Sequence, residues 1–128
     1  MAHRMSERPQ MILAGVVLDS PDAQELAAFY QRLLGWNVVQ DEPDWVKLGA
    51  PDAGPGLSFQ TEPRYERPVW PAGPDDPQMS VHLDIHVTDL DEAGAHAEKS
   101  GAIRADYQPQ EDVWVYLDPA GHPFCLFL

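Results

Sequence analysis

The sequence predicts an α+β domain built of two βαβββ modules that form a curved β-cup. Three observations carry this. Asp22-Ala-Gln-Glu25 opens an apolar-periodic segment that ends at Gly35, and Asp89-Leu-Asp-Glu92 opens another that ends at Gly101. Trp45-Val46-Lys47-Leu48 is answered by Trp114-Val115-Tyr116-Leu117, and Ala53-Gly54-Pro55-Gly56-Leu57 by Ala120-Gly121-His122-Pro123-Phe124. The order is the same in both halves, and the offset drifts only from 67 (22 to 89) to 66, 69 and back to 67. A repeated supersecondary unit implies that one copy does not bury its core alone and packs on the other. Two curved sheets facing each other leave a cavity, and that cavity is where a ligand is expected.

Met11 to Leu18 is an apolar run that predicts a strand buried on both faces. Asp22 with Glu25 outlines a capping box at a helix start. Leu26, Phe29, Tyr30, Leu33 and Leu34 follow the i, i+3, i+4 spacing of a helix packed on a sheet. Gly35 supplies the left-handed terminator. Short strands are predicted over Trp36–Gln40, Trp45–Leu48 and Gly56–Gln60, separated by turn residues. The second half repeats this grammar. It has a strand over Met79–Val87, a helix capped by Asp89 that runs to about Lys99 and is ended by Gly101, and strands over Ala102–Tyr107, Val113–Leu117 and Phe124–Leu128. The whole chain, 1–128, reads as one domain with a first module at 11–60 and a second at 79–128. Between them, 61–78 is a linker holding Pro63, Pro68, Pro71, Pro74 and Pro77. Prolines exclude it from a sheet interior and stiffen it. It also offers a lid, in which Tyr65 and Trp70 are exposed aromatics with a purpose.

Eight basic residues against 21 acidic ones give a net charge of −13. Such a surface repels phosphate backbones and anionic headgroups, which weighs against nucleic-acid and membrane partners. The residues through Gln10 are polar, lack the design of a signal peptide and read as a loose tail. The lone cysteine, Cys125, excludes an internal disulfide and fits a reducing compartment. A cytoplasmic location is therefore expected.

His82, Asp84 and His86 alternate with Leu83, Ile85 and Val87. Period two places the three polar groups on one face of a strand. The apolar face packs under the helices, so the polar face looks into the cup. An imidazole and a carboxylate side by side suit acid–base work, with Asp84 orienting a histidine; they equally suit a hydrogen-bonded polar patch. Cys125, between Phe124 and Leu126, reads first as a small buried hydrophobe. As a catalytic thiol it needs a base or a positive neighbour, and His82 is the candidate. His122, in a Gly-His-Pro turn, is expected at the surface. His96 and His3 receive no role. Trp45 and Trp114 occupy matching repeat positions, which points to core packing for both.

These motifs, Asp22, Phe29-Tyr30, Leu34-Gly35-Trp36, Asp89, Gly101 and Asp118-Pro-Ala-Gly-His-Pro-Phe124, taken in order over about residues 11 to 128, resemble the vicinal oxygen chelate superfamily. That superfamily includes glyoxalase I, extradiol dioxygenases and bleomycin- or fosfomycin-resistance proteins, and the chain is similar to its small glyoxalase-like members. The resemblance implies a divalent metal at the centre of the cup, held from four strands. Counting from the two capping aspartates and from Asp118 puts Gly15, Ser58 or Gln60, His82 and Cys125 at the ligand positions. One imidazole, one thiol, one hydroxyl or amide and an empty slot make a poor site for a hard ion. No tight metal or other cofactor is expected; should a divalent metal bind, His82, Gln60 and His86 are the ligands to test. Three functions compete. One is binding of a small aromatic or amphipathic molecule, with His82, Asp84, Gln60, Ser58, His86, Trp70, Tyr65 and Cys125 around it. Another is a lyase, isomerase or dioxygenase using His82 and Asp84 as acid–base or metal-binding groups. An inert cup in an interaction module is a third. A homodimer is the expected assembly, and module pairing within one chain or between two is left open.

Overall fold

A computed structural model describes residues 8–128; most of the polar tail, with His3, lies outside them. The elements run β1 (Gly15–Ser20), α1 (Ala23–Leu34), β2 (Asn37–Glu42), β3 (Trp45–Gly49), β4 (Gly56–Thr61), β5 (Leu83–His86), α2 (Leu90–Ser100), β6 (Ile103–Arg104), β7 (Val113–Leu117) and β8 (Pro123–Phe127). Each module is a four-stranded mixed sheet, ordered β1-β4-β3-β2 and β5-β8-β7-β6. The first strand of each module lies parallel to the last, and the other pairs are antiparallel. The two βαβββ modules are present as predicted, and the sheets do not close on each other. Among the described residues, no helix is long and apolar enough to cross a membrane.

The caps explain the helix bounds. Asp22 is extended and accepts from the backbone N–H of Gln24 and Glu25. Its own N–H goes to Ser20 Oγ at 2.9 Å, the role that Glu25 plays in a full capping box. Gly35 stops α1 at φ 72°, a conformation favoured by glycine. Asp89 caps α2 through Glu92 N–H at 3.0 Å.

Three strands are shorter than the sequence suggests, each for want of a partner. Met11, Ile12 and Leu13 are exposed rather than part of β1. In the register that pairs Gly15 with Gly56, they would fall beside the turn ahead of β4, where no strand runs. Met79–His82 run ahead of β5 because β8, its only neighbour, begins at Pro123. Beyond β6, the side chain of Gln108 takes over the edge of β7: its Nε2 donates to Val115 O and its Oε1 accepts from Val115 N–H, both at 2.8 Å.

The helix-side faces of both sheets converge on α1. Phe29 and Tyr30 meet edge to face at 4.8 Å, Tyr30 stacks on Phe59 of β4 at 5.5 Å, and Phe29 reaches Phe124 of β8 at 6.0 Å. One apolar cluster thus serves both modules, as the repeat requires. On α2 the packing is tight enough to demand glycine. A Cβ at Gly94 would stand 2.5 Å from Tyr116 Oη and 3.2 Å from the Trp114 ring. Gly→Ala inside a helix ordinarily gains about 1 kcal/mol. Here the sign should reverse, with Gly94→Ala losing roughly 1–3 kcal/mol by overpacking; a thermal melt at or above that of the parent would contradict this packing.

Candidate functional site

Register assigns each cup residue its counterpart. Val17 pairs with Ser58 in the first sheet and Asp84 with Cys125 in the second. An offset of 67 therefore superposes Ser58 on Cys125, not Gln60, and carried one strand further it sets Gly15 opposite His82. In the third strand the offset is 68: Trp45 pairs with Gln60 and Val113 with Phe127. The Trp45–Trp114 match of the sequence is therefore one residue out, and a slip of one turns a side chain to the other face. Trp114 lies on the helix side against Gly94. Trp45 lies on the opposite face, its Nε1 donating to Gln40 at 3.0 Å.

The polar alternation of β5 holds: Leu83 and Ile85 are half-buried, while His82, Asp84 and His86 are exposed. His82 Nε2 stands 3.3 Å from Asp84 Oδ1. Ligand atoms of His82, Asp84 and Cys125 lie within 4.8 Å of one another. The Cys125 thiol is raised above its ordinary value, first by burial, then by the negative charge of Asp84 and a hydrogen bond to it. It stays protonated at neutral pH and makes a poor nucleophile. Trp70 of the linker shares with His82 and Cys125 a cleft of 170 Å³ whose apolar walls include Met79, Val113, Val115 and Pro123. Trp70 is half-buried, 5.7 Å from the ring of Tyr107, rather than freely exposed.

The other expected cup residues lie elsewhere. Gln60 donates to Asp19 at 2.8 Å, and Ser58 is buried; neither lines the cleft of His82. His86 rests its ring edge-on to Phe127 at 5.6 Å and is not in the His82 cluster. The set His82, Gln60 and His86 is therefore not brought together as metal ligands, because Gln60 belongs to the other sheet and His86 sits further along β5. Tyr65 is half-buried and faces a different cavity, with His122.

His122 is not a surface residue. It is 8% exposed, and its Nδ1 lies 2.9 Å from Asp118 Oδ2. Asp118, 1% exposed, also accepts from Tyr30 Oη at 2.8 Å and from the backbone N–H of Ala120 and His122 at 2.9 Å. Tyr65 Oη donates to Ala120 O at 2.8 Å and stands 3.3 Å from His122 Nε2. One network, centred on this carboxylate, thus joins the first helix, the linker and the last turn. Burial and the charge of Asp118 push the Tyr65 phenol up to about 12, so it remains a proton donor.

Two open mixed sheets, each βαβββ and sharing a core around α1, define the glyoxalase/bleomycin-resistance fold. The profile of the glyoxalase-like domain family matches residues 15–127, and the chain belongs to that family. Solved structures agree on the fold. A glyoxalase/bleomycin resistance protein/dioxygenase family enzyme from Burkholderia phytofirmans PsJN is 20% identical with TM-score 0.66, over 91% of this chain and 97% of that one. A possible glyoxalase from Bacillus cereus is 10% identical with TM-score 0.68, over 93% and 100%. A glyoxalase-related enzyme from Fulvimarina pelagi is 19% identical with TM-score 0.64, over 93% and 88%. No curated protein matches the sequence.

The family's four-strand metal centre does not fit these residues. At Gly15 even a Cβ would stand 2.9 Å from Gly56 O, so the backbones are too close to admit a ligand there. Ser58 brings only a buried hydroxyl. Among the described residues, the donors that gather are His82, Asp84 and Cys125, all from the second module, and the thiol must lose a proton beside a carboxylate to bind. Elemental analysis of protein purified without chelator should find transition metal far below one per chain. One zinc, nickel or iron per chain would contradict this reading of the site.

Proposed function

We propose that this glyoxalase-like chain binds a small uncharged aromatic or amphipathic molecule between Trp70 and the His82–Cys125 face, without a tightly held metal. The observation that supports it is the make-up of the cleft. Trp70, Val113 and Val115 offer apolar walls and His82 a polar contact, the usual composition of a small-molecule site. Its 170 Å³ is close to the roughly 150 Å³ that admits a benzene-sized ring. The net charge of −13 and Asp84 beside His82 disfavour an anion. Calorimetric titration with p-cresol tests it: saturable one-to-one binding is expected, and no heat up to the solubility limit sinks the proposal.

The 3.3 Å contact of His82 with Asp84 supports a second reading, a lyase or isomerase in which Asp84 orients His82 as acid–base group. Their side chains are 42% and 62% exposed, and water screens such a pair, so binding is the stronger reading. Exchange of a ketone's α-hydrogen with solvent deuterium, lost in His82→Ala, would favour the second.

A further inference from the structure

A second cavity, of 260 Å³, is lined in part by the linker residues Tyr65, Glu66, Pro68 and Gln78. One stretch divides between this cavity and the cleft of Trp70: Ser80 and Val81 line this cavity, and the flanking Met79 and His82 line the other. Its polar groups are Asp19, Glu66, Gln78, Ser80, Tyr65 and His122, and Val17, Leu18, Pro68 and Val81 complete it.

The hydrogen-bond balance of this cavity is one-sided. Asp118 accepts from Tyr30 Oη and from two backbone N–H groups, so the proton shared with His122 sits on Nδ1. That leaves Nε2 as an acceptor. Its neighbour Tyr65 has one proton, and the 2.8 Å bond to Ala120 O claims it over the 3.3 Å contact to Nε2. Nε2 thus belongs to a side chain 10% exposed, and its one contact, Tyr65 Oη at 3.3 Å, has its proton directed at Ala120 O. Among the described residues, one oxygen of Asp19 accepts from Gln60 Nε2, and no hydrogen bond engages its other oxygen or the side chain of Glu66. No lysine or arginine lines the cavity. The guanidinium of nearby Arg67 is held by Pro119 O at 2.8 Å, and its charge is felt at Tyr65.

Two carboxylates and an imidazole lone pair, with apolar walls behind them, ask for a ligand that only donates and carries positive charge. We propose that this cavity is a binding site for a small aliphatic primary amine in its ammonium form. Its three N–H donors would go to Asp19, Glu66 and His122 Nε2, and its alkyl stem would lie against Val17, Pro68 and Val81. The volume is that of roughly nine waters at about 30 Å³ each, enough for a short alkyl chain and its head.

The test is an NMR titration at pH 8, at fixed ionic strength, with n-butylamine, which is protonated there as lysine is, and with 1-butanol as the uncharged isostere. The amine should move the His122 ring and the Val17–Asp19 amides saturably and leave His82 in place, and the alcohol should move neither. Asp19→Asn and Glu66→Gln should each weaken the amine severalfold, and the pair should abolish saturation. Glu66→Gln alters an exposed side chain, so it reports even if Asp19→Asn disturbs β1. Equal binding of the alcohol, undiminished binding by the double variant, or shifts spread over surface carboxylates with none at His122 would overturn the proposal.

Discussion

Asp118→Ala is expected to be the most damaging single substitution in the chain. The carboxylate is 1% exposed and takes bonds from Tyr30, His122 Nδ1 and two backbone N–H groups. Removing it leaves four buried donors without an acceptor, and each orphaned group costs about 1–3 kcal/mol. Partial relaxation and water entry reduce the sum, so a loss of roughly 4 kcal/mol or more is expected, which lowers Tm by more than about 10 °C. Tyr30→Phe removes one donor along with its need and should cost only about 1 kcal/mol. Differential scanning calorimetry separates the two. An Asp118→Ala melt within a few degrees of the parent would show that the network does not tie the modules and linker together.

Trp70→Ala should have the largest effect on binding. A stacked aromatic contributes on the order of 1 kcal/mol beyond its buried area, so p-cresol affinity should fall about tenfold, since ~1.4 kcal/mol is a factor of ten. His82→Ala should also weaken binding while leaving the melt nearly unchanged, because that side chain is 42% exposed. If His82→Ala instead costs the roughly 2–5 kcal/mol of a core deletion, the residue is structural and the functional reading of this strand falls.

The helices were legible because their signals are local. Asp22, Asp89, Gly35 and Gly101 set their ends within a residue or so. The repeat gave the two modules, but matching tryptophans hid a register slip that only strand pairing resolves. Met11–Leu13 looked like strand because apolar character is local, whereas the partner they lack is set by the distant turn before Gly56. Period two placed His82 and Asp84 correctly on one face, and His82, Cys125 and Trp70 do share a cleft. Gln60 lies outside the His82 cleft because its strand, β4, belongs to the first sheet and its side chain bonds Asp19 of β1 there. The burial of His122 had a faint signal in the four-residue spacing from Asp118, which suits a carboxylate folding back on the following turn. Tyr30, 88 residues from Asp118, and Tyr65, 57 residues from His122, left no local trace.

The central claim is that the cleft beside Trp70 is the ligand site. Chemical-shift mapping of the ¹⁵N-labelled protein with p-cresol tests it most directly, since the indole N–H of Trp70 is itself a reporter. The account predicts saturable shifts of that indole and of the His82, Val115 and Cys125 amides, with Ser58 and Gln60 unmoved. Saturable shifts centred on Ser58 and Gln60, or none at Trp70, would contradict it.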